Sequence, residues 1–214
     1  MAITDTFTDT AGTNVTSHTP DAGGTWTLAT GTSGVITAAG RVRPGASSAT
    51  SALHYHSAVP PSADYEVSAD LYQVTITAGQ LAGVLIRYDS AADSGYMARY
   101  LHGSAVIQLY RRVSGVFTLL TSSSYTITPT TATRIACQAS GTTLYVKIDG
   151  STVITYSDGS PITGAGRAGI AITGGTTPSD SAGLHIDNFD NGFTSSGVAG
   201  PVLFHSHYVN QGWR

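Results

Sequence analysis

One pair of carboxylates in the chain has a spacing that could serve glycoside hydrolysis. Among its 214 residues Glu66 is the single glutamate, and Asp64 is the carboxylate two positions before it. Glycoside hydrolysis needs one carboxylic acid to protonate the leaving oxygen and a second carboxylate as nucleophile or base. A pair of Asp64 and Glu66 is formally available, but carboxylates at the start of a strand usually lie on the solvated surface. We therefore predict that the protein is not an enzyme.

Two histidine pairs have a spacing that could begin a metal site. His54 with His56, and His205 with His207, are separated by two positions, which points both rings of an extended segment to the same side. A zinc, iron or nickel site needs three or four ligands, and no further ligand follows at a recognisable spacing. We interpret both pairs as exposed, hydrogen-bonding histidines.

Four aspartates near the two ends of the chain could supply oxygen ligands. They are Asp5, Asp9, Asp187 and Asp190. If the terminal strands pair, these carboxylates converge, and calcium favours clustered oxygen ligands. The alternative, which we prefer, is that they cap turns and accept hydrogen bonds from the local backbone. No cofactor is predicted beyond this candidate calcium ion.

Strands must position these groups, because the sequence shows alternation and turn residues but no helical pattern. Apolar and polar side chains alternate in residues 183–189 and again in residues 5–9. A β-sandwich closes when its terminal strands lie side by side, so we predict that these two segments pair. One sandwich domain would then span residues 1–193, followed by a linker and tail in residues 194–214.

The middle of the chain predicts an antiparallel meander. Residues 83–88, 96–101 and 106–110 read as three strands separated by loops rich in Asp, Ser and Gly. With suitable register, one side of this sheet would carry a candidate glycan site of Arg87, Arg99, Gln108 and Tyr110. Tyr96 and Tyr100 would lie on the other side. Aromatic rings and polar side chains suit a sugar, although tyrosines of a sandwich also serve as core residues.

Charge and hydropathy exclude several classes of protein. Charged residues make up 11% of the chain, its net charge is −3, and Lys147 is the one lysine. A nucleic-acid binder carries a basic patch, so we expect no nucleic-acid partner. The sequence also predicts neither a membrane span nor a signal peptide, because no long apolar run is present. We interpret the single Cys137 as a buried structural thiol.

A set of spaced features runs through residues 5–193. They are Asp5, Phe7, Gly24, Trp26, residues 83–88, Tyr96, Leu109, Tyr110, Gly115, Leu119, Leu120, residues 144–150, residues 164–169 and residues 187–189. Together they resemble the concanavalin A-like lectin/glucanase family, in the laminin-G-like form found in bacteriophage virion proteins. The resemblance implies an all-β jelly-roll sandwich of two antiparallel sheets with a short C-terminal tail. Relatives sometimes carry calcium, and the catalytic Glu and Asp motif of the family's glucanases is absent here.

The resemblance implies a non-enzymatic structural protein of a bacteriophage virion, made in the host cytoplasm. It would decorate the capsid or belong to the tail or fibre, with a capacity to bind cell-surface glycan. The alternative is a stand-alone carbohydrate-binding, lectin-like module. An assembly subunit needs an anchor, and the candidate anchoring residues are Phe204, His205, His207, Tyr208 and Trp213. We expect this tail to bind other virion proteins or further copies of the chain, unless it packs on its own domain.

Overall fold

The computed structural model of the protein describes residues 3–48, 50–75, 80–175 and 178–192. These residues form fifteen β-strands. In chain order the strands are β1 (Thr4–Asp5), β2 (Trp26–Thr30), β3 (Val35–Ile36), β4 (Val42–Arg43), β5 (Ala52–His56), β6 (Glu66–Gln73), β7 (Leu81–Asp89), β8 (Ser94–Leu101), β9 (Val106–Val113), β10 (Val116–Ser124), β11 (Ala132–Ser140), β12 (Thr143–Ile148), β13 (Ser151–Ser157), β14 (Arg167–Thr173) and β15 (Leu184–Asp190).

The strands build two antiparallel sheets that enclose one main core. Sheet A has the order β13-β12-β11-β6-β15-β4-β3, with β1 paired to β15, and sheet B has the order β10-β9-β8-β7-β14-β5-β2. Apolar side chains from the inner faces of both sheets fill the space between them, among them Leu71 and Ile135 of sheet A and Val84 and Ile170 of sheet B. The predicted all-β jelly-roll sandwich is therefore confirmed.

The terminal strands pair as predicted. Thr4 lies opposite Asp190 and Asp5 opposite Phe189 in an antiparallel ladder. The first strand is shorter than its alternation indicated, because Phe7 adopts a φ of 49° and turns the chain out of the sheet. Its ring is nevertheless fully buried in the core.

The central meander is also confirmed. Strands β7, β8, β9 and β10 pair in sequence order, and Tyr96 and Tyr100 face the main core. The turn between β12 and β13 has φ values of 48° at Asp149 and 80° at Gly150. Positive φ at both central residues is the type I′ geometry that the Asp-Gly pair predicts.

Cys137 is fully buried in β11, as predicted, and burial raises the pKa of its thiol to about 12. The helices of the described residues are the short 3-10 turns Val15–Ser17 and His102–Ser104. Among those residues, no helix has the length and apolar character needed to cross a membrane.

The predicted linker and tail, residues 194–214, lie outside the described residues. This includes the anchoring candidates Phe204, His205, His207, Tyr208 and Trp213. The boundary at residue 193 and the anchoring role stay predictions.

Candidate functional site

The outer face of sheet B carries an apolar cluster that is separate from the main core. Its buried centre includes Leu53, Leu85, Met97 and Ala171, each at most 2% exposed. These residues alternate along β5, β7, β8 and β14 with residues that face the other sheet. The outer face is therefore an organised surface with its own buried floor.

Four aromatic rings belong to this outer cluster. Tyr88 is part of its buried centre, and Tyr55, Tyr110 and Phe117 pack against it. The ring centroids of Tyr55 and Tyr88 are 5.5 Å apart, and those of Tyr110 and Phe117 are 6.0 Å apart. Because these rings come from β5, β7, β9 and β10, they form a band across the sheet.

Three arginines lie over rings of this band. The Cζ atom of Arg99 is 4.2 Å from the Tyr110 ring centroid, that of Arg112 is 4.5 Å from Phe117, and that of Arg167 is 5.6 Å from Tyr55. Such cation–π contacts are worth about 0.5–2 kcal/mol each and hold the guanidinium group on the ring. We call this surface the arginine–aromatic face; its residues are Tyr55, Tyr88, Arg99, Gln108, Tyr110, Arg112, Phe117 and Arg167.

One end of the face is organised by Asp93. Its carboxylate accepts two hydrogen bonds from Arg112, from Nε and Nη2, both at 2.7 Å, and a third from the Tyr88 hydroxyl at 2.8 Å. The hydrogen bonds from Arg112 hold the pKa of Asp93 below its usual value, whereas burial raises the pKa of Tyr88. Asp93 is thus an ionised acceptor that fixes Arg112 and is poorly suited to act as a general acid.

The centre of the face is organised by Arg99. Its Nε donates to Gln108 Oε1 at 3.0 Å, and its Nη2 donates to the Tyr110 hydroxyl at 2.9 Å. Arg99 lies opposite Gln108 on β9, and Tyr110 lies two positions further along the same strand. The structure therefore brings together three of the four predicted glycan-binding residues.

Arg87, the fourth, lies elsewhere. It has a φ of 53°, and the register of β7 against β8 shifts at this point. This bulge reverses the phase of the strand, so that Tyr88 joins the outer face in place of Arg87. The Arg87 guanidinium donates instead to the carbonyls of Ala63 and Ile162 and to the carboxylate of Asp64. Arg87 therefore holds two loops against the end of β7.

A cavity of about 440 Å³ adjoins the face at its Tyr88 end. Tyr88 and Arg167 line it, together with Val59, Ile162 and the turn between β7 and β8. Arg167 donates from Nη1 to the carbonyl of Ser57. The cavity falls within the range of about 300–1,000 Å³ that small-molecule sites occupy.

The carboxylates considered for hydrolysis are each paired with a cation. Glu66 Oε2 lies 2.7 Å from Lys147 Nζ, and Asp64 Oδ1 lies 2.9 Å from Arg87 Nη2. Neither belongs to the arginine–aromatic face. The absence of enzymatic activity stays a prediction.

Two of the four predicted calcium ligands, Asp5 and Asp9, both contact His18. His18 Nε2 lies 2.9 Å from Asp5 Oδ1, and its Nδ1 lies 3.1 Å from Asp9 Oδ2. Asp5 Oδ2 also accepts a 2.6 Å hydrogen bond from Trp26 Nε1, so both oxygens of this buried carboxylate have protein partners. Burial alone would lower the pKa of His18, but the hydrogen bonds with Asp5 and Asp9 outweigh it and raise the pKa above 6.5.

The other two candidates each face an arginine. Asp187 Oδ2 is 3.9 Å from Arg41 Nε, and Asp190 Oδ2 is 3.9 Å from Arg134 Nη2. Burial raises the pKa of Asp187 to about 6. In the part of the chain that the structure describes, no group of three or more His, Cys, Asp or Glu side chains could hold a metal ion. The four aspartates do not form a shared site there, and calcium binding stays a prediction.

His54 and His56 are both fully buried, so the interpretation that they are exposed is wrong. Their strand, β5, lies inside sheet B between β14 and β2, and these side chains face inward. Gly34 N donates to His54 Nε2 at 3.3 Å, and burial lowers the pKa of His54 to about 4. The second pair, His205 and His207, lies outside the described residues.

Sequence reasoning missed several residues of the face, chiefly Arg112 and Phe117. Arg112 continues the i, i+2 series begun by Gln108 and Tyr110. The Ser114-Gly115 turn then fixes Phe117 opposite Arg112. Both residues could have been found by extending the strand through this turn.

Comparisons with known proteins identify the fold. No family model matches the chain, and no curated protein matches it in sequence. Among solved structures, the carbohydrate-binding module CBM66 from Bacillus subtilis is 20% identical, with a TM-score of 0.58 over 77% of this chain and 92% of that chain. A β-glucanase of Bacillus licheniformis is 12% identical, with a TM-score of 0.60 over 88% and 96%.

The exoplasmic/lumenal domain of VIP36, in its Ca²⁺/Man-bound form, is 13% identical, with a TM-score of 0.57 over 77% of this chain and 81% of that chain. Carbohydrate-binding proteins and glucanases are thus both structural neighbours. The chain has the concanavalin A-like jelly-roll fold that its sequence features resemble.

Proposed function

We propose that this protein is a carbohydrate-binding module whose ligand lies across the arginine–aromatic face. The observation that carries the proposal is the set of three guanidinium groups stacked on aromatic rings on the outer face of one sheet. The similarity to CBM66 and to the VIP36 domain supports it, since CBM66 is a carbohydrate-binding module and the VIP36 domain is in a Ca²⁺/Man-bound form.

The chemistry of the face suits a sugar. The exposed parts of the half-buried Tyr55, Tyr110 and Phe117 rings accept the C–H surface of a pyranose or furanose. Guanidinium, amide and phenol groups donate hydrogen bonds to its hydroxyls. Arg99 is held by Gln108 and Tyr110, and Arg112 is held by Asp93. Donors that are already fixed lose less conformational entropy on binding than free surface side chains do.

The carboxylate beside this face favours binding without hydrolysis. Asp93, next to the face, is an ionised partner of Arg112, and glycosidases need a second, protonated acid. The virion role stays a prediction from the family resemblance. In a virion, a face of this kind would serve adhesion to cell-surface glycan.

The proposal is tested by screening the protein on a glycan array and measuring the dissociation constant of the strongest hit by calorimetry. We expect Tyr110→Ala and Phe117→Ala each to raise the dissociation constant about tenfold or more, equivalent to about 1.4 kcal/mol. Tyr145→Ala is the matched control, because Tyr145 lies on β12 of the other sheet and is likewise half-buried. Binding that is unaffected by both face variants, or no binding to any glycan, would refute the proposal.

A further inference from the structure

We propose that the ligand is an acidic glycan, whose carboxylate or sulfate groups are bound by Arg99 and Arg167. This inference rests on the proposed function and names the chemical class of its ligand. It follows from how the charges of the described residues are paired.

Most cationic side chains of the described residues have a carboxylate within 4.0 Å. Those that do are Arg41, Arg43, Arg87, Arg111, Arg112, Arg134 and Lys147. The described residues contain two further cations, Arg99 and Arg167, and both belong to the arginine–aromatic face. The net charge of the chain is −3, yet the two described arginines that lack a carboxylate partner lie on the same surface.

Arg99 has neutral partners only. It donates hydrogen bonds from Nε and Nη2, and the acceptors are an amide oxygen and a phenol oxygen. A guanidinium group has five N–H donors, so at least one edge remains for a ligand. Burial lowers the pKa of Arg99, because its charge is desolvated without a neighbouring anion. A bidentate carboxylate or sulfate would supply the missing counter-charge.

Arg167, at the other end of the face, also lacks a carboxylate partner. Its hydrogen-bond partner is the carbonyl of Ser57, and its guanidinium lines the cavity beside Tyr88. Arg112, the third arginine of the face, differs because Asp93 already neutralises it through two hydrogen bonds. The face therefore has two guanidinium groups without a carboxylate partner, those of Arg99 and Arg167, and one that is already paired.

The spacing of Arg99 and Arg167 indicates that the ligand is an oligosaccharide. Arg99 lies opposite Gly83, which lies opposite Ala171, and Arg167 is four residues before Ala171 on the same strand. Strand geometry places the two Cα atoms roughly 13 Å apart along the strands and roughly 10 Å apart across them. The resulting distance of roughly 16 Å between the two Cα atoms exceeds the length of one sugar residue. An acidic ligand that contacts both arginines is therefore an oligosaccharide.

The test compares polymers that share a backbone and differ in charge. Polygalacturonate is paired with its fully methyl-esterified form, and dextran sulfate is paired with dextran. Calorimetry is done at about 0.15 M ionic strength, where the attraction between distant exposed charges is largely screened. We expect at least one acidic polymer to bind at least tenfold more tightly than its neutral partner, and the pair that responds tells carboxylate from sulfate.

Variants separate a built site from general attraction. Arg99→Gln should lower the affinity for the acidic polymer at least tenfold, and Arg99→Lys should restore only part of it, because lysine keeps the charge but loses the planar fork. Arg43→Gln is the control: it removes the same charge from sheet A, where Arg43 pairs with Asp180. Thermal unfolding of each variant checks that it is folded.

The outcomes distinguish this inference from the proposed function. Equal affinity for acidic and neutral polymers overturns the acidic ligand and keeps the proposed function. Tight binding of a neutral glycan has the same meaning if Tyr110→Ala abolishes it and Arg99→Gln leaves it unchanged. Equal losses in Arg99→Gln and Arg43→Gln also overturn the inference, since the attraction is then non-specific. Absence of binding to every glycan refutes the proposed function itself.

Discussion

Replacing Asp5 by asparagine should destabilise the sandwich far more than removing an exposed carboxylate would. Asp5 lies on β1 in sheet A and is fully buried. Its carboxylate accepts hydrogen bonds from Trp26 Nε1 at 2.6 Å and from Phe7 N at 2.9 Å, and His18 Nε2 lies 2.9 Å away. Trp26 belongs to β2 in sheet B, so this one side chain links the two sheets and the loop between them.

Asparagine has nearly the same shape but presents an NH₂ group where one carboxylate oxygen was. Whichever way the amide is turned, a donor faces either the Trp26 N–H or the N–H of Phe7. Removing one partner of a buried charged hydrogen-bond network costs about 3–5 kcal/mol. For a chain of this size each kcal/mol lowers the melting temperature by about 2–4 °C, so we expect a loss of roughly 6–20 °C.

The assay is thermal unfolding followed by circular dichroism. Asp21→Asn is the matched control, because Asp21 is an exposed carboxylate that also accepts hydrogen bonds from the first segment, at Thr6. That control should change stability by about 1 kcal/mol or less. A melting temperature for Asp5→Asn within 2 °C of the control would refute the reasoning.

The pH dependence of the same network has a defined sign. The pKa of His18 is raised in the folded protein, so its protonation contributes stability that is complete below 6.5 and is lost as the pH rises through the raised value. The stability difference between the natural protein and His18→Gln should therefore shrink between pH 6 and pH 9. A difference that grows over this range would contradict the arrangement of His18 between Asp5 and Asp9.

Three further predictions concern the loops, catalysis and calcium. Gly166→Ala should cost about 2 kcal/mol or more in denaturant unfolding, because Gly166 has a φ of 56° and a Cβ there would lie 2.2 Å from the backbone carbon of Arg87; Gly164→Ala, with open space around it, should be nearly neutral. Incubation with β-glucans or galactans should release no reducing sugar, and activity that disappears in Glu66→Gln would show that the protein is an enzyme. Glycan affinity should be the same with EDTA as with calcium, because the arginine–aromatic face has no cluster of oxygen ligands and Asp5 is held by Trp26 and His18; a loss with EDTA would place a calcium ion at the site.

Most of the fold could be predicted from the alternation of apolar and polar residues and from the turn residues. The pairing of the terminal strands, the central meander and the inward position of Tyr96 and Tyr100 all follow from period-2 patterns bounded by turn residues. Such patterns define two faces of a strand. They do not show that both faces of a strand are covered, as at Leu53 and His54, which lie on opposite faces of β5 and are both fully buried.

The candidate site was only partly predictable, because a single bulge alters the phase of a strand. Simple alternation puts Arg87 on the same face as Leu85, yet the positive φ of Arg87 sends its side chain to the neighbouring loops and brings Tyr88 outward. Arg167 and Tyr55 come from strands far apart in sequence, and they meet because β14 lies between β5 and β7. The order of strands within a sheet depends on the whole sandwich, and no local sequence pattern reveals it.

The central claim is that glycan binds across the outer face of sheet B, and chemical-shift mapping tests it most directly. An acidic oligosaccharide is titrated into isotopically labelled protein while backbone amide and arginine Nε–H signals are followed. We predict that the largest changes fall on Arg99, Gln108, Tyr110, Arg112 and Phe117, with the amides of β12 and β13 unchanged. Changes centred on sheet A, with the arginine Nε–H signals of sheet B unmoved, would contradict the account.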